Sequence, residues 1–274
     1  MLLREIESFL EEDVGHEDYE EIVPYTECKA EITVREEGVL AGLDEAKRIF
    51  DYLNVKYSTG FEDGDKIKSG DTILTVWGAG AKILKVERLV LNFLGRMSGV
   101  ATLTRIFVNE ARAVNAGIKV AGTRKTTPGF RKYEKKAITI GGGDPHRFGL
   151  YETVIIKDNN IKLIGFESAI KKAKEKVSFT RKIEVEVESI DDALRAAELD
   201  VDIIMLDNVS AHDVKDCVRL LTEKGFRDDL ILEASGGINL DNIKEFASTG
   251  VDVVSSGMLT HSATCLDFSL NIVE

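Results

Sequence analysis

The sequence has no apolar run approaching the ~20 residues that a membrane-spanning helix needs. Its first residues, MLLREIESFLEEDVGHEDYEE, turn acidic at once. They lack the basic start, apolar run and small-residue cleavage site of a secretory signal. Cysteine is scarce: Cys28, Cys217 and Cys265 are odd in number, widely spaced and match no metal-ligand pattern, so buried structural thiols are expected. A cytoplasmic setting follows as an expectation. There is no low-complexity tract, flexible linker or short repeat. An aromatic–basic surface motif is also missing, and with a net charge of −12 this argues against nucleic acid as a partner.

What is present is an acidic globular chain of 274 residues, 43% hydrophobic and 31% charged, long enough for one large core or two modest ones. One segment runs against the overall charge. Between Arg124 and Lys157 there are eight cations, Arg124, Lys125, Arg131, Lys132, Lys135, Lys136, Arg147 and Lys157, against three acids, Glu134, Asp144 and Glu152. A local cationic excess in an acidic protein points to a pocket for a small polyanion.

The rhythm changes near residue 104. Before it, KAEITVREEGVLAG alternates as a hairpin would, and Asp44–Leu53 carries Ala46, Ile49, Phe50 and Leu53 on one helical face. FEDGDKIKSGDTILTVWGAGAKILKVE reads as small antiparallel strands. A helical stretch then runs from about Val86 to Val114, and Ser98-Gly99 is expected to break it in two. After Ile118, strand candidates IKVAGT, AITIG, TVIIK, KIEVEV, DIIML, LILEAS and VDVVSS alternate with helical segments. Several are continuous apolar runs, as in strands buried on both faces. About seven such units predict a parallel α/β barrel, with an open doubly wound sheet as the alternative.

In such barrels the chemistry gathers at the carboxyl ends of the strands. Those ends carry Thr123-Arg124-Lys125, Gly141-Gly142-Gly143 leading to His146-Arg147, Lys157-Asp158-Asn159, Glu184 and Glu186, Asp207-Asn208, Ser235-Gly236-Gly237 and Ser255-Ser256-Gly257. The last two turns suit a phosphate, since glycine lets backbone N–H groups approach an anion; ordinary βα turns use the same residues. Glu186 and Asp207 suit a hard divalent cation that takes one or two carboxylates plus phosphate oxygens. Glu184 serves equally as half of a structural ion pair. Arg124, Lys125, His146, Arg147 and Lys157 would repel one another in an empty cavity, and a multiply charged anion offsets that. Arg131, Lys132, Lys135 and Lys136 read as solvated charges on a helix surface, and His16, His212 and His261 as structural.

The motifs TRKTTPGFR, GGGDPHRFGL, VIIKDNNI, IEVEVES, IIMLDN and ASGGI, in this order, resemble the quinolinate phosphoribosyltransferase family, and the resemblance extends to EEGVLAGLDEA, ERLVLNFLGRMSGVATLT and GMLTHSATCLDFSL. The resemblance implies an atypical parallel α/β barrel with fewer than eight strands (residues 105–274) behind an N-terminal α+β open sandwich (1–104), the last ~14 residues packing back on the latter. It implies a pentosyltransferase acting on quinolinate and phosphoribosyl pyrophosphate (PRPP) with Mg²⁺, in NAD biosynthesis. It implies a homodimer, or an assembly of dimers, whose N-terminal domains cap the partner's site.

On this chain the resemblance makes Arg124, Lys125, His146, Arg147 and Lys157 the quinolinate pocket, with Arg88 reaching in from the partner. Lys125, Lys157, Glu186 and Asp207 become the catalytic set, Glu186 and Asp207 the metal carboxylates. Ser235, Gly236, Gly237, Ser256 and Gly257 become the phosphate grip. Three stretches depart from the pattern: Asn160 stands where the family has His, residues 16–21 replace Gly-Asp followed by Thr-Thr, and GGGDPHRFGLYET is similar to a paralogue found with molybdate-transport genes. The alternatives are therefore a related transferase for another heteroaromatic acid and a non-catalytic binding protein on the same scaffold.

Overall fold

The computed structural model describes residues 1–15 and 26–273, so His16 and the atypical segment 16–21 lie outside the described residues. The chain divides into two units, residues 1–103 with 263–274, and residues 104–262. No helix among the described residues is long and apolar enough to cross a membrane.

The first unit begins with helix α1 (Leu3–Val14) and strands β1 (Glu27–Val34) and β2 (Gly38–Val39). Helix α2 (Leu43–Tyr52), β3 (Lys56–Ser58), β4 (Lys66–Ile67), β5 (Thr72–Ala79) and the long helix α3 (Gly80–Arg112) follow. The division between units falls within α3. Helix α2 forms where the 3.6-residue spacing placed it, with Ala46, Ile49 and Phe50 fully buried. Ile49 and Phe50 each contribute about 1.5–3 kcal/mol by leaving water, and the Ala46 methyl less.

Three readings of this half are corrected. β1 and β2 are not a hairpin: β1 pairs with β5, and β2 pairs with β4. Alternation identifies a strand but not its partner, and here the Val39 N–H donates to Thr102 Oγ1 at 2.8 Å, drawing β2 away. AKILKVE is helical rather than extended, because Ile83, Val86 and Val90 are buried at spacings of three and four. Ser98-Gly99 does not break α3. Ser98 Oγ accepts from Ala41 N–H at 3.0 Å and donates to Ala41 O at 3.1 Å. A Cβ on Gly99 would lie 1.9 Å from Thr264 O. Both residues are there for close packing, which outweighs their weak helix propensity.

The second unit is a βα series: β6 (Lys119–Ala121), α4 (Arg131–Gly141), β7 (Val154–Ile156), α5 (Asp158–Ile164), α6 (Phe166–Lys176), β8 (Ile183–Val187), α7 (Ile190–Glu198), β9 (Ile203–Asp207), α8 (Ala211–Glu223), β10 (Ile231–Ser235), α9 (Ile243–Ala247), β11 (Val253–Ser255) and α10 (Met258–His261). The chain then returns to the first unit as β12 (Phe268–Ile272), which pairs with β1 and completes an antiparallel sheet of order β12-β1-β5-β3.

The parallel sheet has six strands in the order β6-β11-β10-β9-β8-β7, not seven. AITIG, expected as a strand, is the last turns of α4, where Tyr133, Glu134, Ala137, Ile138 and Gly141 are buried at helical spacing. Its β-branched residues favour a strand locally, and burial against the neighbouring structure overrides that preference. What remains of the missing strand is one parallel bridge, Ala121 to Asp144. Gly122 N–H donates to Asp144 O at 2.9 Å and Asp144 N–H to Val120 O at 2.8 Å. The expected structural thiols are also only partly so: Cys217 is buried, Cys28 half-buried and Cys265 exposed.

Candidate active site

Period-two alternation along the parallel strands sends alternate residues inward. On β8 these are Glu184 and Glu186, on β9 Met205 and Asp207, on β10 Glu233 and Ser235, on β11 Val253 and Ser255. At the carboxyl ends a cleft of about 360 Å³ opens, lined by Arg124, Lys125, His146, Arg147, Lys157, Glu186, Asp207, Glu233, Ser235 and Ser255 among others. Thus all five expected pocket cations, both candidate metal carboxylates and one of the expected phosphate residues share one cavity.

The others are placed differently. Gly236, Gly237, Ser256 and Gly257 follow β10 and β11 without lining the cleft. Ser256 Oγ donates to Ile238 O at 2.7 Å and accepts from Met258 N–H at 3.2 Å, so it ties two turns together. Gly236 has φ +89°, and a Cβ there would come within 2.5 Å of Asn208 N, so only glycine fits. Arg88 is exposed on α3. Asn160 has a local structural role: its Oδ1 accepts the Lys157 N–H at 2.9 Å and caps α5.

Helix α4 braces the two loops that carry the pocket cations. Glu134, fully buried, accepts from Thr127 N–H and Thr127 Oγ1, each at 2.9 Å. Arg131 donates from Nε to Thr126 Oγ1 at 2.9 Å and from Nη1 to Phe148 O at 3.0 Å. Lys135 is fully buried, corrects the reading of it as a surface charge, and donates its Nζ to Pro145 O. Burial and the nearby Arg131 lower its pKa to about 8. These side chains fix residues 124–127 on one side and 145–148 on the other.

Between them His146 adopts φ +53°, a left-handed conformation that costs a non-glycine residue energy. Its N–H donates to Asp144 Oδ1 at 2.7 Å. Its Nδ1 accepts from the Arg147 N–H at 2.8 Å, and its Nε2 lies 3.2 Å from Glu233 Oε2. Arg147 is buried and donates from Nη1 to Thr153 O at 2.8 Å. Burial first, and then the Arg124 charge, lower its pKa, so the two guanidiniums feel each other. Lys157 Nζ pairs with Glu186.

Beneath the cleft sit two buried carboxyls, Glu184 and Glu233, with Glu184 Oε2 3.9 Å from His146 Nε2. Both oxygens of Glu184 and Oε1 of Glu233 lack hydrogen-bond partners. Burial, reinforced by the Glu233 charge, pushes the Glu184 pKa up to about 8. Burial opposes a charge on His146, but its hydrogen bond to Glu233 and the charges of Glu233 and Glu184 outweigh this and raise its pKa. Protonation would nevertheless place a hydrogen on Nδ1 facing the Arg147 N–H. The ring geometry described is therefore that of the neutral form.

Sequence reasoning passed over three of these groups. Glu233 lies mid-strand in LILEAS, and its signal was a lone charge two residues before Ser235 on the inward face. Ser255 lines the cleft where Ser256 was expected to contribute. A Cβ on Gly257 would meet Lys125 Cδ at 2.9 Å and His261 Nε2 at 3.1 Å, so His261 stands beside a pocket lysine rather than apart from it.

The quinolinate phosphoribosyl transferase N-terminal domain family matches residues 19–98, and the corresponding C-terminal domain family matches residues 100–271. A probable carboxylating nicotinate-nucleotide pyrophosphorylase of Methanothermobacter thermautotrophicus is 47% identical over 271 residues, covering 97% of each chain. The human carboxylating nicotinate-nucleotide pyrophosphorylase is 38% identical over 97% of this chain and 90% of its own. The crystal structure of nicotinate-nucleotide pyrophosphorylase from Ehrlichia chaffeensis superposes with a TM-score of 0.92 at 32% identity, over 100% of this chain and 99% of that one. With a cationic cleft at the strand ends and matches across both units, the chain belongs to the quinolinate phosphoribosyltransferase family.

Proposed function

We propose that this protein is a carboxylating nicotinate-nucleotide pyrophosphorylase. It joins the phosphoribosyl group of PRPP to the ring nitrogen of quinolinate, releasing pyrophosphate and CO2 and leaving nicotinate mononucleotide. The observation that carries this reading is the convergence of Arg124, Lys125, Arg147 and Lys157 with Glu186 and Asp207 in a single cleft. Four cations match a substrate with two carboxylates and a co-substrate with a pyrophosphate. Two carboxylates match the positive charge that develops on the ribose carbon as pyrophosphate departs.

The residues act chiefly by holding and orienting. Arg124 and Arg147 grip the quinolinate carboxylates through paired N–H donors. Lys125 and Lys157 place mobile charges against the leaving pyrophosphate and the second carboxylate. The Lys157–Glu186 ion pair keeps both groups in the cleft before substrate arrives, and substrate exchanges with it. Glu186 and Asp207, prepositioned on rigid strands, stabilise the cation-like ribose without reorganising. Once the ring nitrogen is quaternised, the neighbouring carboxylate leaves as CO2. The electron pair left on the ring carbon is stabilised by the adjacent positive nitrogen and takes a proton from water. The excess of cations excludes analogues with one charge.

Glu186 and Asp207 offer hard oxygen donors, a set that fits Mg²⁺ when phosphate oxygens and water complete the sphere. Bound there, Mg²⁺ would neutralise charge on the pyrophosphate. Ser235 and the glycine turns after β10 and β11 provide N–H groups for the 5′-phosphate. The exposed Arg88 suits a contribution from a second subunit, which makes a homodimer part of this proposal, as are cytoplasmic placement and the absence of a nucleic-acid partner. Incubation with PRPP, Mg²⁺ and quinolinate should yield nicotinate mononucleotide and CO2 in equal amounts, while nicotinate should not react. A folded protein with no turnover of quinolinate would overturn the reading.

A further inference from the structure

The His146-Arg147 turn is strained, and no backbone partner explains why it persists. The left-handed φ of His146 is held at three points: its N–H on Asp144 Oδ1, its Nδ1 on the Arg147 N–H, and its Nε2 on Glu233 Oε2. The first two lie within the turn itself. Helix α4 holds the flanking Pro145 and Phe148 carbonyls through Lys135 and Arg131, and Glu233 ties the His146 ring itself to the central strand β10. Strain of this kind survives only where the surroundings over-determine it, and it gathers at ligand-gripping sites.

We infer that Glu233, acting through the His146 ring, is a positioning residue that aims Arg147 at the anionic substrate. The inference rests on the proposed quinolinate reading for its kinetic consequence, but not for its structural one. Because Nδ1 receives an N–H, its lone pair is in use and the ring hydrogen sits on Nε2, where it donates to Glu233. The ring is then a rigid strut between β10 and the Arg147 backbone. The same tautomer argues against another use of the cluster. His146, Glu184 and Glu233 lie close enough together to hold a metal ion, but an Nε2 that carries hydrogen cannot be a ligand.

Two measurements test this. The first is ¹⁵N NMR of the imidazole nitrogens in the free protein at mildly alkaline pH, with His146 assigned from a His146→Asn variant. A protonated Nε2 and an unprotonated Nδ1 are expected; a hydrogen on Nδ1 overturns the inference whatever the protein's substrate. The second is steady-state kinetics of Glu233→Leu and Glu233→Gln. Leucine removes the acceptor, and KM for quinolinate should rise at least about tenfold through misaiming of Arg147, with a much smaller fall in kcat. Glutamine keeps an acceptor for Nε2–H and should restore most of the loss.

If glutamine is as harmful as leucine, the charge of Glu233 matters rather than its position, and the inference fails. It fails equally if wild-type protein binds one Mn²⁺ or Zn²⁺ that Glu233→Gln abolishes. Should Glu233→Leu not fold, the NMR result and the glutamine variant still decide. Absence of quinolinate turnover in the wild type, with the expected tautomer present, would count against the functional reading and leave the strut intact.

Discussion

The cations of one short segment fall into two groups that the sequence does not separate. On α4, Arg131 and Lys135 turn inward and spend their donors on backbone and hydroxyl oxygens of the adjoining loops. At the strand ends, Arg124, Lys125 and Lys157 are exposed to the cleft, and only Arg147 is buried beside it. The first group builds the walls and the second faces the space they enclose. The lesson is that a cationic cluster need not be divided into pocket and surface; a third role, bracing, uses charge without presenting it.

Removing the buried gripping residue should cause the largest effect. Arg147→Ala should raise KM for quinolinate by roughly 100-fold or more, since a desolvated charge partner is worth about 2–5 kcal/mol, with an unchanged circular dichroism spectrum. Unaltered affinity would remove Arg147 from the gripping group. Lys135→Met tests the bracing group. It strands the Pro145 carbonyl and should lower unfolding free energy in urea by about 1–3 kcal/mol, with a secondary rise in KM from the loosened 145–148 loop. A change in KM with no loss of stability would move Lys135 into the pocket.

A pH series sharpens the same contrast. Lys135 has a pKa of about 8 in the folded protein, below its ordinary value of 10.5, so between those values the unfolded chain binds more protons. Stability linked to this residue should therefore rise with pH from about 8 to 10.5, and the rise should be missing from the Lys135→Met curve. Parallel curves would mean that Lys135 is solvated. The smallest effect is expected at Lys132, exposed on α4, where Ala should shift stability by no more than about 0.5 kcal/mol and leave kinetics alone.

Much of the barrel could be read from the chain because its strands announce themselves as apolar runs and its chemistry sits where those runs stop. Lys157, Glu186, Asp207 and Ser235 were found in that way. AITIG misled because Ile-Thr-Ile prefers a strand, while what decides its fate is the packing of Tyr133 and Ile138, which is not local. β1 was recognisable as a strand, yet its partner β12 lies more than 230 residues away, beyond any turn rule. Lys135 was misread because a lysine on a helix is normally solvated, and only the neighbouring Pro145 carbonyl reveals otherwise. Glu233 shows the converse, since a charge inside an apolar strand was visible but its partner His146 came from another loop.

The pairing of β12 with β1 also bears on how the protein is made. Strand β1 is made well before one of its two neighbours in the sheet, β12, which lies more than 230 residues further along the chain. The antiparallel sheet therefore cannot be complete until β12 has been made, whereas residues 104–262 can assemble on their own schedule. A nascent chain stalled just before Phe268 would carry β1 with one edge open, a template for pairing with other chains. Loss of β12 should thus surface as aggregation through β1.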